Sequence, residues 1–177
     1  LNLLHSGMKG YVHLYTGNGK GKTTAALGLA LRSAGAGKTV YIAQFVKGMH
    51  YSELEALRLL PSVNLKQYGR DCFIVRDPAP EDRMAARKGF EEAAAIVRLN
   101  LADVVILDEI SIALHYRLLE TEEVVSLIRE KPESMEMVLT GRYAPPALYE
   151  MADLITEMKE IKHYFNRGVE ARKGIEY

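Results

Sequence analysis

The sequence predicts an α/β fold in which helices flank a mostly parallel β-sheet. Short apolar runs rich in β-branched and aromatic residues recur along the chain, as expected of buried strands. Segments with helical patterning separate most of these runs, and this alternation is typical of parallel strands joined by crossover helices. A glycine-rich turn also connects the first apolar run to the first helical segment.

The first part of the chain carries three predicted strands and two predicted helices. Strands are predicted at Tyr11–Tyr15, Thr39–Phe45 and Val63–Tyr68, where β-branched and aromatic residues concentrate. Between them, Thr23–Ala34 has the patterning of a helix, and Ser52–Leu60 predicts a shorter one.

The middle of the chain predicts a loop, a long helix and a buried strand. Arg76–Pro80 contains prolines and is interpreted as a loop that leads into a helix, not as a domain linker. Glu81–Leu99 follows as a long amphipathic helix. Val104–Leu107 is wholly apolar and predicts a strand covered on both faces.

The last part of the chain predicts two further helices around one strand. Thr121–Glu130 begins without a capping box, but Pro132 provides a clear end for this helix. A strand is predicted at Met137–Thr140, and Pro145–Met151 has its prolines where the first turn of a helix tolerates them. The tail, Lys162–Tyr177, shows no clear periodicity, so we expect it to be either frayed or pinned over a site.

Length and composition predict a single domain. The chain has 177 residues with 48% hydrophobic content, which is enough for one sizeable core without disulfides or a structural metal. We therefore expect residues 9–177 to form one domain. Residues 1–8 are interpreted as a leader or an expression remnant, with Met8 as a candidate native start.

Charge and cysteine content exclude several classes of protein. The formal net charge is zero, so no global attraction to nucleic acid or to anionic lipid is expected. No apolar run approaches the roughly 20 residues that a membrane-spanning helix needs. The single cysteine, Cys72, allows no internal disulfide and fits a reducing compartment. We expect a cytoplasmic protein with neither a nucleic-acid nor a membrane partner.

The glycine-rich turn predicts a phosphate-binding P-loop. Its glycines allow several backbone N–H groups to point at an anion, and the following helix adds the partial positive charge of its N-terminus. Lys22 can contact the outer phosphates, and the Thr23 hydroxyl can reach a metal ion. The motif departs from the usual pattern at Thr16, where the first glycine is expected. The predicted nucleotide contacts on the loop are Gly17, Asn18, Gly19, Lys20, Gly21, Lys22, Thr23 and Thr24.

An acidic pair predicts the metal site. Asp108 and Glu109 follow directly after the buried strand at Val104–Leu107. Acidic side chains at the carboxyl end of a strand lie where open α/β sheets bind ligands. Magnesium prefers such oxygens beside phosphates. We predict that Thr23, Asp108 and Glu109 hold Mg²⁺, with Mn²⁺ as an alternative.

A P-loop does not specify which bond of the nucleotide breaks. Attack at the γ-phosphorus would make the protein a kinase or an NTPase, whereas attack at C5′ would expel the whole triphosphate. A non-enzymatic nucleotide switch or a DNA-handling module is a further alternative, but such a module would be expected to carry a basic stripe or an oligomerising tail. The neutral net charge and the compact chain argue against that alternative.

Motifs along nearly the whole chain identify a family. The runs GNGKGKTTAA (17–26), QFVKG (44–48), DEI (108–110), TGR (140–142), KHYF (162–165) and KGIEY (173–177) closely resemble the P-loop type of ATP:cob(I)alamin (corrinoid) adenosyltransferase. The similarity extends from about Lys9 to the C-terminus. Threonine before GNGKGKTT is this family's own pattern, so the departure at Thr16 supports the resemblance.

The resemblance implies a RecA-like fold, a homodimer and a reaction. The 5′-deoxyadenosyl group of ATP moves to the cobalt of a reduced corrinoid, and triphosphate is released. Reduced Co(I) is the nucleophile, so no side chain is expected to act as one, and none of the five histidines is expected to be catalytic. An electron-donating flavoprotein reductase is an expected partner.

The same resemblance assigns roles to individual positions. Residues 17–23 would wrap the triphosphate, Lys20 and Lys22 would neutralise it, and Thr23 with Glu109 would hold magnesium with Asp108 nearby. Arg142 is expected to add a further phosphate contact, because a guanidinium suits bidentate pairing with phosphate. Arg32, on the first predicted helix, is another candidate contact, although arginine there is more often a solvated or structural cation.

The expected corrinoid-binding residue is Phe73. In the family, a loop at this position carries phenylalanine and, in some members, tryptophan two residues on. It helps to remove the lower axial ligand of cobalt, which eases reduction of Co(II). This chain has Phe73 but Val75 at the tryptophan position, and simple core packing of Phe73 is the alternative interpretation.

Overall fold

The computed structural model describes residues 8–70 and 77–177. One six-stranded sheet lies at its centre, and every pair of neighbouring strands in it is parallel. In chain order the strands are β1 (Val12–Thr16), β2 (Val40–Phe45), β3 (Val63–Tyr68), β4 (Val104–Asp108), β5 (Glu136–Thr140) and β6 (Leu154–Glu157). Their order across the sheet is β3-β2-β4-β5-β1-β6. The predicted parallel sheet is confirmed.

Helices cover both faces of this sheet. They are α1 (Lys22–Gly35), α2 (Glu53–Leu57), α3 (Pro80–Arg98), α4 (Ile110–His115), α5 (Thr121–Glu130) and α6 (Pro146–Met151), with a short 3₁₀ helix at Tyr164–Arg167. One apolar cluster joins the sheet to α1 and α2, and a larger cluster joins the other face to α3, α4, α5 and α6. Within the described residues, none of these helices has the length and apolar character needed to cross a membrane.

Successive residues of strand β4 are apolar because helices cover both faces of the sheet. Val104 and Ile106 pack in the cluster with α1, whereas Val105 and Leu107 pack in the larger cluster on the opposite face. Because both faces are covered, the strand is apolar at successive positions instead of alternating. Its last residue, Asp108, lies at the carboxyl end of this central strand.

The predicted strands and helices are all present; β3 and α5 have the predicted bounds, and the other elements have shifted ends. Helix α2 ends at Leu57, three residues before the predicted end. Helix α3 begins at Pro80, a residue predicted to lie in a loop. The expectation that the helix at Thr121 begins without a capping box is wrong: Glu120 is the N-cap residue of a capping box, in which the Glu123 carboxylate accepts the N–H of Glu120 at 3.2 Å.

Three elements are additional to the predicted ones: α4, β6 and the 3₁₀ helix. Helix α4 has only six residues and begins directly after Glu109, so it is too short to show a clear helical period. Strand β6 pairs with β1 at the sheet edge, and all four of its residues are exposed. It therefore lacks the burial pattern by which strands are recognised from sequence.

Candidate active site

The P-loop connects β1 to α1 through glycines that the geometry requires. Gly17 and Gly21 have φ values of 95° and 116°, a region that favours glycine. A Cβ on Gly17 would also lie 2.5 Å from the carbonyl oxygen of Met158. Gly21 is the N-cap residue of α1, and no side chain caps this end of the helix. The first N–H groups of α1 are therefore available to an anion.

The Lys22 side chain is folded back into this loop. Its ammonium group donates to the carbonyl oxygens of Gly17 and Gly19 at 2.8 Å and 2.7 Å. Burial lowers the pKa of Lys22, and the positive charge of Arg142 adds to that effect, while the carboxylate of Glu109 opposes it. The cation thus lies inside the P-loop, held by neutral oxygens that a phosphate can replace.

Asp108 lies at the centre of a buried polar network. Its side chain accepts hydrogen bonds from the hydroxyls of Thr23 at 2.9 Å and Thr140 at 2.7 Å. It also accepts from the amide of Gln44 at 3.2 Å and from the ammonium of Lys47 at 2.7 Å. These donors come from the P-loop helix and from the ends of β2 and β5, so the network joins four elements at one edge of the sheet.

Glu109 is held beside Asp108 in an unusual backbone conformation. Its φ is 59°, which is uncommon for a residue with a side chain. Its N–H donates to the Thr140 hydroxyl at 2.9 Å. Burial and the adjacent Asp108 raise the pKa of Glu109, and Lys47, Lys22 and Arg142 oppose the rise. A carboxyl group in such surroundings favours an additional cation.

Arg142 follows β5 and lies beside a cavity at the P-loop. The cavity has a volume of 340 Å³, and its lining includes Thr16, Gly17, Asn18 and Arg142. The positive charge of Arg142 also adds to the effect of burial, which lowers the pKa of Lys22. The structure therefore brings Arg142 to the predicted phosphate site.

Lys20 contacts the C-terminal tail. Its ammonium donates to the Ile175 carbonyl at 2.7 Å and pairs with the Glu176 carboxylate at 3.1 Å. The hydroxyl of Ser52 donates to the Tyr177 carbonyl at 2.9 Å. Of the two expectations for the tail, the structure shows the pinned one, with the last residues lying against the P-loop.

Three other predicted nucleotide contacts, Thr24, Asn18 and Arg32, lie in different surroundings from Lys22 and Arg142. Thr24 is exposed in the first turn of α1. Asn18 accepts the N–H of Glu160 at 3.1 Å, which ties the loop to the segment after β6. Arg32 lies in the last turn of α1. The helical rise places it about 15 Å along the axis from Lys22, so this chain does not bring Arg32 to its own P-loop.

The family follows from comparison with known proteins. The family profile described as "ATP:corrinoid adenosyltransferase BtuR/CobO/CobP" matches residues 8–177. The chain belongs to this family. The resemblance expected from the sequence motifs is therefore confirmed, and this corrinoid adenosyltransferase is an enzyme of the transferase class.

Curated corrinoid adenosyltransferases support this assignment over most of their length. The Escherichia coli K12 protein is 34% identical over 169 residues, which cover 96% of this chain and 86% of that protein. A Sinorhizobium protein of the same name is 38% identical over 181 residues, covering 96% of this chain and 81% of that protein.

A solved structure supports the fold of this adenosyltransferase. The KaiC-like protein PH0186 from Pyrococcus horikoshii OT3 superposes with a TM-score of 0.57 at 16% identity. The match covers 87% of this chain and 75% of that protein. At this identity the likeness concerns the fold alone, and it confirms the predicted RecA-like architecture.

Three residues of the polar network had no predicted role in the site. They are Gln44, Lys47 and Thr140, which lie at or just after the carboxyl ends of β2 and β5. Polar residues at or just after the carboxyl ends of buried parallel strands belong to the ligand-binding edge of the sheet. This positional signal could have identified them. Phe73, the predicted corrinoid contact, lies outside the described residues and stays a prediction.

Proposed function

We propose that this adenosyltransferase transfers the 5′-deoxyadenosyl group of ATP to the Co(I) of cobalamin or another corrinoid. The observation that carries the proposal is the convergence of the P-loop and the acidic pair at one edge of the sheet, in a chain that belongs to this family. In the reaction the electron pair of Co(I) forms a bond to C5′. The C5′–O bond breaks, and its electron pair leaves with triphosphate.

The protein's part in this reaction is to bind and orient ATP and to neutralise the charge of its triphosphate. The N–H groups of the P-loop and the first turn of α1 hold the phosphates. Lys22 exchanges its two carbonyl partners, at 2.8 Å and 2.7 Å, for phosphate oxygens. Arg142, beside the same loop, adds a guanidinium. Positive charge fixed at the leaving group stabilises the transition state more than the ground state, because charge on the triphosphate grows as the bond breaks.

The donor set near the P-loop fits magnesium. Thr23, Asp108 and Glu109 offer hydroxyl and carboxylate oxygens, the ligands that hard cations prefer. In the described part of the chain, no three His, Cys, Asp or Glu side chains lie close enough together to hold a metal by themselves. That fits Mg²⁺, which usually binds through one or two carboxylates, phosphate oxygens and water. When bound, the ion neutralises charge on the triphosphate; Mn²⁺ can replace it.

We expect a homodimer in the cytoplasm that receives a reduced corrinoid, with electrons supplied by a flavoprotein reductase. Phe73 is assigned to the corrinoid side, where it favours loss of the lower axial ligand from Co(II). The product is used in adenosylcobalamin synthesis or salvage.

The proposal is tested by product analysis. The protein is incubated with ATP, Mg²⁺ and chemically reduced corrinoid, and the phosphate product is separated by ion exchange. Intact triphosphate and a new cobalt–carbon bond, visible by absorbance, are the expected results. ADP as the main product would contradict the proposal and would favour the kinase or NTPase alternative.

A further inference from the structure

A lysine ammonium occupies the space between the oxygens assigned to magnesium. The Nζ atom of Lys47 lies 2.7 Å from Oδ2 of Asp108 and 2.9 Å from Oγ1 of Thr23. The side chain is only 13% exposed, and that of Asp108 is 1% exposed. Lys47 thus forms a buried ion pair inside the predicted metal site.

The backbone next to Lys47 is held in a strained conformation. Val46 has a φ of 59°, which is costly for a β-branched residue. The Val46 N–H donates to the Tyr68 carbonyl at 3.1 Å. A Cβ on Gly69 would lie 2.4 Å from the backbone nitrogen of Lys47, so the two segments are in close contact. This packing fixes the point from which the Lys47 side chain reaches the acidic pair.

The charges explain why Lys47 stays in this position. Burial by itself lowers the pKa of Lys47, but the carboxylates of Asp108 and Glu109 outweigh burial and raise it above its ordinary value. The ammonium is also 5.5 Å from the ring centre of Tyr51, a distance at which an aromatic face attracts a cation. A divalent ion and this ammonium cannot both contact the same oxygens, because like charges at such distances repel strongly.

We propose that Lys47 is the displaceable counter-ion of the acidic pair. Before the nucleotide arrives, Lys47 neutralises Asp108 and keeps Thr23 and Asp108 in place. If Thr23, Asp108 and Glu109 held Mg²⁺, Lys47 would release its two partners, and its ammonium, already beside the P-loop, would neutralise the triphosphate as it leaves. This inference rests on the proposed magnesium site and adds Lys47 to the side-chain cations already assigned to the triphosphate.

Metal binding without nucleotide separates this role from an ordinary structural ion pair. Mn²⁺ is titrated into the protein without ATP, and free Mn²⁺ is followed by its paramagnetic resonance signal. Lys47→Met removes the competing cation, so we expect Mn²⁺ to bind about tenfold more tightly or better than to the wild type, given the usual strength of a charge-assisted hydrogen bond. Lys66→Met is the matched control, because Lys66 pairs with Glu92 at the surface. It should leave Mn²⁺ affinity unchanged.

A second variant covers the case in which Lys47→Met does not fold. Lys47→Gln keeps a hydrogen-bond donor for Asp108 while removing the charge, and it should also bind Mn²⁺ more tightly. Equal affinity in the wild type and the folded variants would overturn the counter-ion role. If Asp108→Asn still weakened Mn²⁺ binding, the magnesium site itself would stand. Unchanged binding in Thr23→Val, Asp108→Asn and Glu109→Gln would instead contradict the metal site of the proposed function.

Turnover tests whether the released Lys47 ammonium neutralises the triphosphate. With saturating Mg²⁺ and ATP and pre-reduced corrinoid, the Lys47 variants should lose at least about tenfold in transfer rate although they bind metal more tightly. A structural defect would be expected to weaken both properties together. Tighter metal binding with wild-type turnover would show that the released ammonium does not act on the triphosphate.

Discussion

The Oγ1 atom of Thr140 lies 2.7 Å from Oδ1 of Asp108, although the two residues end different strands. The same hydroxyl accepts the backbone N–H of Glu109 at 2.9 Å. One buried side chain therefore fixes the direction of the Asp108 carboxylate and the backbone of Glu109 together. Positioning of the acidic pair depends on β5 as much as on β4.

Thr140→Val should destabilise the protein and impair metal binding. The replacement keeps the shape of the side chain but removes a buried hydroxyl with two partners, which costs about 1–3 kcal/mol. Urea denaturation measures the loss of stability. A magnesium titration of activity shows whether the acidic pair, Asp108 and Glu109, still binds the metal as well as in the wild type. Thr156→Val is the control, because Thr156 is exposed on β6 and should change stability by no more than about 0.5 kcal/mol. An equal effect of both substitutions would contradict a special role for Thr140.

Lys22→Ala should abolish turnover and leave the fold intact. It removes a charge-assisted contact worth about 1.5–3 kcal/mol in the ground state and more as triphosphate departs. Activity with pre-reduced corrinoid gives the loss, and circular dichroism checks the fold. Lys66→Ala, outside the site, should retain wild-type rates. A folded Lys22→Ala protein with normal activity would show that the P-loop does not bind phosphate as proposed.

Glu109→Ala should raise the magnesium requirement. The substitution removes one proposed metal ligand, while the contacts of Thr23, Thr140 and Lys47 with Asp108 remain available. The magnesium concentration at half-maximal activity should increase by about tenfold or more, because a charged ligand is lost. A magnesium curve that overlays that of the wild type would exclude Glu109 as a ligand.

Asp82→Asn should reduce stability at neutral pH and lose its effect in acid. Asp82 is 6% exposed and accepts two hydrogen bonds from Arg70, at 2.7 Å and 3.0 Å, and one from the Ala79 N–H at 2.8 Å. The Arg70 contact lowers the pKa of Asp82, and the Ala79 N–H adds to this against the opposing effect of burial. The stabilisation is therefore present above the unfolded pKa, about 3.9, and is lost as pH falls through the lower folded value.

Denaturation of wild type and Asp82→Asn at several pH values measures this effect. At pH 7 we expect a difference of about 1.5–3 kcal/mol. The difference should shrink once the pH falls below the unfolded value. A difference that stays constant down to pH 2 would show that protonation of Asp82 does not control the contribution. The control, Asp77→Asn, changes an exposed carboxyl and should have little effect at any pH.

Phe73→Ala should separate reduction of cobalt from adenosyl transfer. The variant leaves every proposed phosphate contact in place, so we expect normal ATP binding. It should fail to convert five-coordinate Co(II) cobalamin with a mild reductant, yet recover most of its rate with pre-reduced Co(I), which is already four-coordinate. Equal impairment in both assays would indicate a role in folding or ATP positioning, and no impairment would assign Phe73 to packing.

Val75→Trp provides the complementary test of the same loop. Restoring the aromatic residue found in some relatives should increase the four-coordinate Co(II) fraction, which absorbance and paramagnetic resonance both detect. An unchanged fraction would show that other residues displace the lower ligand in this protein.

The sequence by itself determined the local parts of this protein. The P-loop, the acidic pair at the end of β4 and the strand–helix alternation each depend on neighbouring residues, so spacing and apolar patterning were sufficient to predict them. The family motifs were equally visible, because they are short contiguous runs. Strand β6 and helix α4 were missed for the converse reason: the strand is fully exposed and the helix has only six residues, so neither has a clear apolar pattern of its own.

Only the tertiary structure decided how distant residues complete the site. Strand β5 lies between β1 and β4, and this order brings Thr140 to Asp108. Lys47 reaches Asp108 across 61 positions of the sequence, and Lys20 reaches Glu176 across 156. Arg32, a predicted contact, instead lies at the far end of its helix. Such contacts follow from which strands are neighbours and where their carboxyl ends meet, and periodicity along the chain carries no information about either.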